Sequence, residues 1–223
     1  MKVILFGASG TVGQGVLHEC LLDARVESVL AVVRNPLGVH HPKLREVVHQ
    51  DFADFSSLAA DFEDADACFF CLGISSLGRR EEEYRRVTYD YTLAAARALP
   101  DNPGLTFVYV SGAGTDSTER GRSMWARVKG RTENELRAMP FHAYMFRPGY
   151  IQSSHGGVSK TPAYRWMYAA ISWLYPLLRR VIPHHVTTTE SVARAMIAVA
   201  GQQGAGEPVL DSAEINRVAR NGH

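Results

Sequence analysis

Near its start the chain holds residues whose types and spacing suit the binding of a phosphate. Lys2-Val3-Ile4-Leu5-Phe6 runs straight into Gly7-Ala8-Ser9-Gly10-Thr11-Val12-Gly13, and an apolar-periodic helical stretch begins inside that turn. The first N–H groups of a helix have no internal partners, and the helix dipole is positive there, so a pyrophosphate fits if no Cβ blocks its approach. Gly7 allows the sharp exit from the strand, Gly10 close phosphate approach, and Gly13 the packing of helix on sheet, while Ser9, Thr11 and Val12 complete the backbone cradle. The spacing is GxxGxxG, because position 9 is Ser. A glycine turn also serves many plain strand-to-helix corners, and context separates the two readings. Here a second apolar run, Val29-Leu30-Ala31-Val32-Val33, ends where the adenosine ribose of a dinucleotide would lie. Arg34-Asn35-Pro36 follows it in place of an Asp or Glu that would accept from a ribose 2′-OH. A guanidinium offers a fork of donors to a 2′-phosphate, which points to NADP, with NADPH preferred over NADH; the plain alternative is a solvated strand-end arginine.

A second group has the chemistry of carbonyl reduction. Ser111 follows the run Leu105-Thr106-Phe107-Val108-Tyr109-Val110, and Lys129 lies in the next helical stretch. Those are the places of two members of a Ser/Tyr/Lys constellation. In such a set a phenol gives its proton to a carbonyl, an ammonium lowers the phenol's pKa from about 10 toward working pH, and the serine hydroxyl holds the carbonyl. Tyrosine and lysine must stand four apart to share a helix face, yet the residue four before Lys129 is Trp125. An indole N–H donates but does not relay protons. Three readings stay open: another tyrosine such as Tyr150 acts, the reaction does without that acid, or the protein binds a cofactor without turning it over. Ser111 also reads as a polar strand-end residue and Lys129 as a ribose-binding or a solvated helical lysine.

The elements that must carry these residues alternate regularly. Strands are expected at Arg45 to His49, Ala67 to Leu72, Leu105 to Val110 and His142 to Phe146, besides the first two runs. Helices are expected at Phe55 to Phe62, Glu81 to Leu99 (closed by Pro100), Trp125 to Met139 and Val192 to Ala200. Such alternation predicts an α/β fold, a Rossmann-type doubly wound parallel sheet of about seven strands with helices on both faces and ligands at the carboxyl ends. Cys71, Leu72 and Gly73 fall at such an end, where the chain would pass the cofactor's phosphates and ribose.

With 223 residues, 46% hydrophobic and 21% charged, the chain is expected to form one domain. A net charge of +1 with no basic stripe gives no nucleic-acid footprint. Three cysteines do not make a disulfide framework, and Cys68 and Cys71, three apart on a strand, point to opposite faces as small buried hydrophobes. The N-terminus turns into a strand at once, with no apolar signal run, so the expected compartment is the cytoplasm. The pairs His40-His41 and His184-His185 have no carboxylate spacing around them, and no metal site is expected. Residues 163 to 178 are dense in aromatics and aliphatics and precede Arg179-Arg180. They read as a substrate-covering helix within a lid or cap spanning 150–190, or as a subunit contact; a membrane-interface helix, too interrupted to span, is the other reading.

GASGTVG, VVRNP, DF after the third strand, CLG, RRVTYDYTLAAARAL, YVSGAG, WARVKG and FRPG together resemble an atypical short-chain dehydrogenase/reductase. The pattern is most similar to the Tat-interacting-protein oxidoreductases and their bacterial relatives, and more distantly to NmrA-like proteins. The likeness runs on through Thr187-Thr188-Thr189 and Glu207-Pro208-Val209-Leu210. It implies NADP binding at Gly7, Gly10, Gly13, Arg34 and Asp51, with the Asp51 side chain at the adenine amine, the Phe52 backbone N–H beside it, and Lys129 and Pro148 on the nicotinamide side. The expected activity is reduction of a small or apolar carbonyl compound, hydrophobic if 163–178 is a lid, and the family allows a homodimer. Where the family has YxxxK, this chain has Trp125 to Lys129.

Overall fold

The computed structural model describes residues 1–154 and 185–222, in which strands and helices mostly alternate. In chain order they are β1 (Lys2–Phe6), α1 (Thr11–Leu22), β2 (Ser28–Val33), β3 (Leu44–Val48), α2 (Ala59–Phe62), β4 (Ala67–Phe70), α3 (Glu81–Arg85), α4 (Tyr91–Ala98), β5 (Thr106–Val110), α5 (Met124–Arg137), β6 (His142–Arg147), β7 (Tyr150–Gln152), β8 (Val186–Thr188), α6 (Thr189–Ala200), β9 (Val209–Asp211) and α7 (Ser212–Asn221).

Seven strands form one sheet in the order β3-β2-β1-β4-β5-β6-β9, every neighbouring pair parallel. The chain winds outward from β1 in one direction through β2 and β3, then returns to lay β4 on β1's other edge. The β1/β4 boundary is therefore the point where the order reverses, and crevices at the carboxyl ends of such a boundary are where this architecture binds ligands. Phe6 and Phe70 lie in register there, and the Cys71 N–H donates to the Phe6 carbonyl at 3.0 Å.

Alternation along the strands builds two cores. Val3 and Leu5 of β1 face one side with α1, α6 and α7, while Ile4 and Phe6 face the other with α2, α4 and α5. Both faces are covered, which is why β1, β2 and β4 read as nearly continuous apolar runs. The CxxC follows the same rule: Cys68 lies in the second core and Cys71 packs against the first.

Four elements depart from expectation. The helix expected over 81–99 is split by a five-residue π turn, Arg86–Asp90, in which the Tyr91 N–H reaches back to the Arg86 carbonyl. At its centre the Thr88 carbonyl accepts from the Thr92 hydroxyl at 2.7 Å and from the Thr132 hydroxyl of α5 at 3.4 Å. These side-chain donors compete with the regular ladder, as buried threonines can. The segment 55–62 is a 3-10 turn, Ser56–Leu58, followed by the single turn of α2. β4 stops at Phe70, releasing Cys71 to Gly73 into the crevice. A small parallel pair, β7 with β8, extends the architecture beyond the main sheet, with Tyr150 opposite Val186. The apolar stretch 163–178, and most of the segment 150–190, lie outside the described residues.

Candidate functional site

The glycine turn sits at the head of the reversal point. Gly7 has φ +79°, a backbone state open to glycine at little cost. A Cβ on Gly13 would stand 2.0 Å from the Gly7 carbonyl oxygen, so the helix can approach the turn only without one. The Gly10 N–H donates to the Gly7 carbonyl at 2.9 Å, and the first helical bond runs from the Gln14 N–H to the Gly10 carbonyl at 2.8 Å. The N–H groups of Thr11, Val12 and Gly13 therefore precede the helical ladder, and the first turn of α1 holds no acidic residue to offset the dipole. Ser9 and Gly10 are exposed, and a Cβ at Gly10 would meet only the Gly7 oxygen, at 3.3 Å. An open, glycine-walled cradle with unpaired donors fits a pyrophosphate.

The adenosine end is gathered from the carboxyl ends of β2 and β3. Arg34 is exposed, with its guanidinium 5.9 Å from the centroid of the Phe52 ring, and its carbonyl accepts from the Gln50 side-chain amide at 2.8 Å. Among the described residues no carboxylate pairs with it. Asp51 is exposed, and one carboxylate oxygen accepts from the Ala53 N–H at 3.0 Å, so the residue also shapes its own turn. Phe52 is buried under the arginine, Leu72 is half-buried against the same core, and Gly73 is exposed, with open space where its Cβ would be.

At the ends of β5 and β6 the structure brings Ser111 and Lys129 together. The Lys129 ammonium donates to the Ser111 carbonyl, and removal from water pulls its pKa down from 10.5 to about 8, against a raising influence from Glu133. Ser111 is buried, and its hydroxyl donates to the Phe146 carbonyl at 3.0 Å. That proton is spent on joining β5 to β6, which leaves the hydroxyl's lone pairs for a ligand. Trp125 is half-buried, its ring edge 3.4 Å from where a Cβ on Gly114 would stand. The Tyr150 phenol donates to the Gln152 side chain at 2.9 Å, within β7. Pro148 is buried, and its carbonyl accepts from the Ala113 N–H at 2.8 Å, tying the loop after β5 to the end of β6.

Sequence reasoning passed over Glu133 and Arg147. Glu133 is 1% exposed, and both its oxygens accept from Arg147 Nε, at 3.0 and 3.2 Å, while Arg147 Nη2 bonds the same carboxylate and the Ser117 hydroxyl. The available signal was spacing. Glu133 stands four residues after Lys129 as Trp125 stands four before, which puts all three on one stripe of α5.

Fold and cradle together define a dinucleotide-binding protein of the Rossmann class. A family model described as NAD(P)H-binding matches residues 7–169, and the chain belongs to that family. Its relatives include the mitochondrial protein FMP52 of Meyerozyma guilliermondii, 27% identical over 165 residues, covering 70% of this chain and 69% of that one. Protein HTATIP2 of Rattus norvegicus is 28% identical over 154 residues, covering 67% of this chain and 62% of that one, so the chain spans about two thirds of such relatives. Among solved structures, an oxidoreductase of the short-chain dehydrogenase/reductase family from Burkholderia thailandensis superposes with a TM-score of 0.66 at 18% identity, covering 99% of this chain and 95% of the other. MoeE5 in complex with UDP-glucose and NAD gives 0.68 at 16% identity, covering 99% and 81%. The protein is thus a member of the NAD(P)H-binding family, similar in sequence to FMP52 and HTATIP2 and in fold to short-chain dehydrogenase/reductase structures. Among the described residues no helix is long and apolar enough to cross a membrane.

Proposed function

We propose that the protein is an NADP(H)-dependent oxidoreductase acting on a small or apolar carbonyl compound, with Trp125 in the place of the usual catalytic tyrosine. The observation that carries the cofactor preference is Arg34: an exposed cation at the end of β2, seated on Phe52, with no carboxylate where a ribose 2′-OH would be held. In this reading the N–H groups of Ser9 and of Thr11 to Gly13 hold the pyrophosphate, with Gly10 letting it approach, Arg34 the 2′-phosphate, and Asp51 with Phe52 the adenine. Cys71 to Gly73 and Pro148 flank the cofactor, and the Lys129 ammonium holds the ribose beside the nicotinamide. The bound nicotinamide supplies hydride chemistry. Segment 150–190 is read as a substrate-side lid or cap, within a single-domain, homodimer-compatible protein with no nucleic-acid partner; peripheral membrane contact is the lesser alternative. Three free cysteines suit a reducing compartment, here read as the cytoplasm.

Calorimetric titration with NADPH and NADH, on the parent and on Arg34→Ala, tests the reading. Loss of a charge-assisted phosphate contact costs about 1.5–3 kcal/mol, roughly ten- to a hundredfold in NADPH affinity, with NADH unaffected. Binding of neither nucleotide to the parent refutes it.

The second reading is an NADP(H)-binding regulatory or scaffold protein without turnover, favoured by Trp125 and by the engagement of the Ser111 proton and the Tyr150 phenol. Trp125→Tyr separates the two. Reductase activity gained by the variant supports the scaffold reading; a parent already active, and damaged by the change, supports the enzyme.

A further inference from the structure

Lys129, the group on which the functional reading depends, sits where an ammonium is costly. It is half-buried between α5 and the end of β5, its ammonium donates to the Ser111 carbonyl, and desolvation lowers its pKa. One helical turn away lies Glu133, a carboxylate with almost no exposure. A bare buried carboxylate would be more costly still, and Arg147 resolves that by gripping both oxygens from the last position of β6. The grip also fastens α5 to the strand that ends in Pro148 and Gly149, and through the Ser117 hydroxyl to the loop that follows β5. Three charges are thus stacked beside the crevice: Lys129 positive, Glu133 negative, Arg147 positive.

We propose that Glu133, clamped by Arg147, is the positioning residue for Lys129: it anchors α5 on the β6 end so that the ammonium meets the Ser111 carbonyl and faces the crevice as a cation. The ion pair lies between Glu133 and Arg147, so Glu133 acts on Lys129 across one turn of helix rather than by direct contact. The other groups around this cluster do not replace it. Tyr109 of β5 and Tyr84 of α3 are buried phenols held neutral by desolvation, and Glu81 of α3 is paired with Arg127 on the outer side of α5. Glu133 is therefore the charge that offsets desolvation of the ammonium. The proposal rests on the reading of Lys129 as a site residue, but its test does not need turnover.

The chain has four lysines, so the side-chain ε-methylene signals of ¹³C-lysine-labelled protein can be assigned by variants and titrated one by one. The midpoint of Lys129 is expected to fall measurably in Glu133→Gln and to stay near the parent value in Glu133→Asp. Because Glu133→Gln leaves Arg147 unpaired and can fail to fold, Glu133→Gln/Arg147→Gln, which leaves no bare charge, is titrated alongside and is expected to show a smaller fall in the same direction, since losing the Arg147 cation offsets part of the change. A Lys129 midpoint unchanged in whichever of the two folds overturns the proposal. NADPH titration of the same samples keeps the readings apart. A parent that binds no nucleotide defeats the cofactor reading, while the lysine midpoints still decide the role of Glu133.

Discussion

Alanine at position 13 tests the physical account of the cradle most directly, because two effects of opposite sign compete there. Gly13 lies inside α1, and a helical glycine replaced by alanine ordinarily stabilises by about 0.5–1 kcal/mol through lower chain entropy. Here the new Cβ would stand 2.0 Å from the Gly7 oxygen, 2.6 Å from the Gly7 carbonyl carbon and 2.9 Å from Ala8 Cα, all backbone. Relief requires the turn or the helix to withdraw by roughly 1 Å or more, since ordinary carbon contacts begin near 3.5 Å. Gly7 cannot retreat freely. A Cβ built on it would lie only 2.6 Å from the Leu72 nitrogen, which shows how tightly the turn is seated on the chain leaving β4. Overpacking of this kind costs about 1–3 kcal/mol, so the clash outweighs the helical gain and Gly13→Ala is expected to lose about 0.5–2 kcal/mol. The same displacement moves the donor cradle, and NADPH affinity is expected to drop about tenfold or more. Urea denaturation followed by circular dichroism, with NADPH titration, measures both. Gly73→Ala is the control: its Cβ would enter open space, and its stability should change by less than about 0.5 kcal/mol. A Gly13→Ala protein more stable than the parent, with unchanged affinity, would refute the reasoning.

Three further outcomes follow from the same geometry. Arg147→Ala strands the Glu133 carboxylate in the interior and is expected to destabilise by about 3–5 kcal/mol in denaturant unfolding; a loss below about 1 kcal/mol would show that water reaches the carboxylate. The folded pKa of Lys129, about 8, lies below its ordinary 10.5, so the unfolded chain binds more protons between those values and stability rises with pH across that window. The parent should therefore gain on Lys129→Met as pH is raised from 8 to 10.5, and a difference that stays flat contradicts the burial of the ammonium. Finally, burial pushes the thiols of Cys20 and Cys68 up and that of Cys71 to about 12, so a thiol reagent at pH 8 should label the three slowly unless denaturant is present. Rapid labelling of native protein would place one of them at the surface.

Local chemistry alone determined a good part of this protein. A glycine turn between an apolar strand and a helix is short-range geometry, and alternating strand and helix patterns specify a parallel sheet because no other arrangement buries both faces of the runs at β1, β2 and β4. Spacing along one strand was enough to send Cys68 and Cys71 into different cores. Spacing along one helix was enough to show Trp125 in register with Lys129. What tertiary structure alone decided is where donors and charges are spent. The Ser111 proton goes to Phe146 because β6 lies beside β5. The π turn at 86–90 draws on Thr92, a neighbour in sequence, and also meets the Thr132 hydroxyl of α5, a contact no pattern within 81–99 reveals. Glu133 looks like any helical glutamate until β6 brings Arg147 to it and the surrounding layers exclude water. A charge's surroundings are set by elements remote in sequence, whereas periodicity and turn chemistry are properties of neighbours.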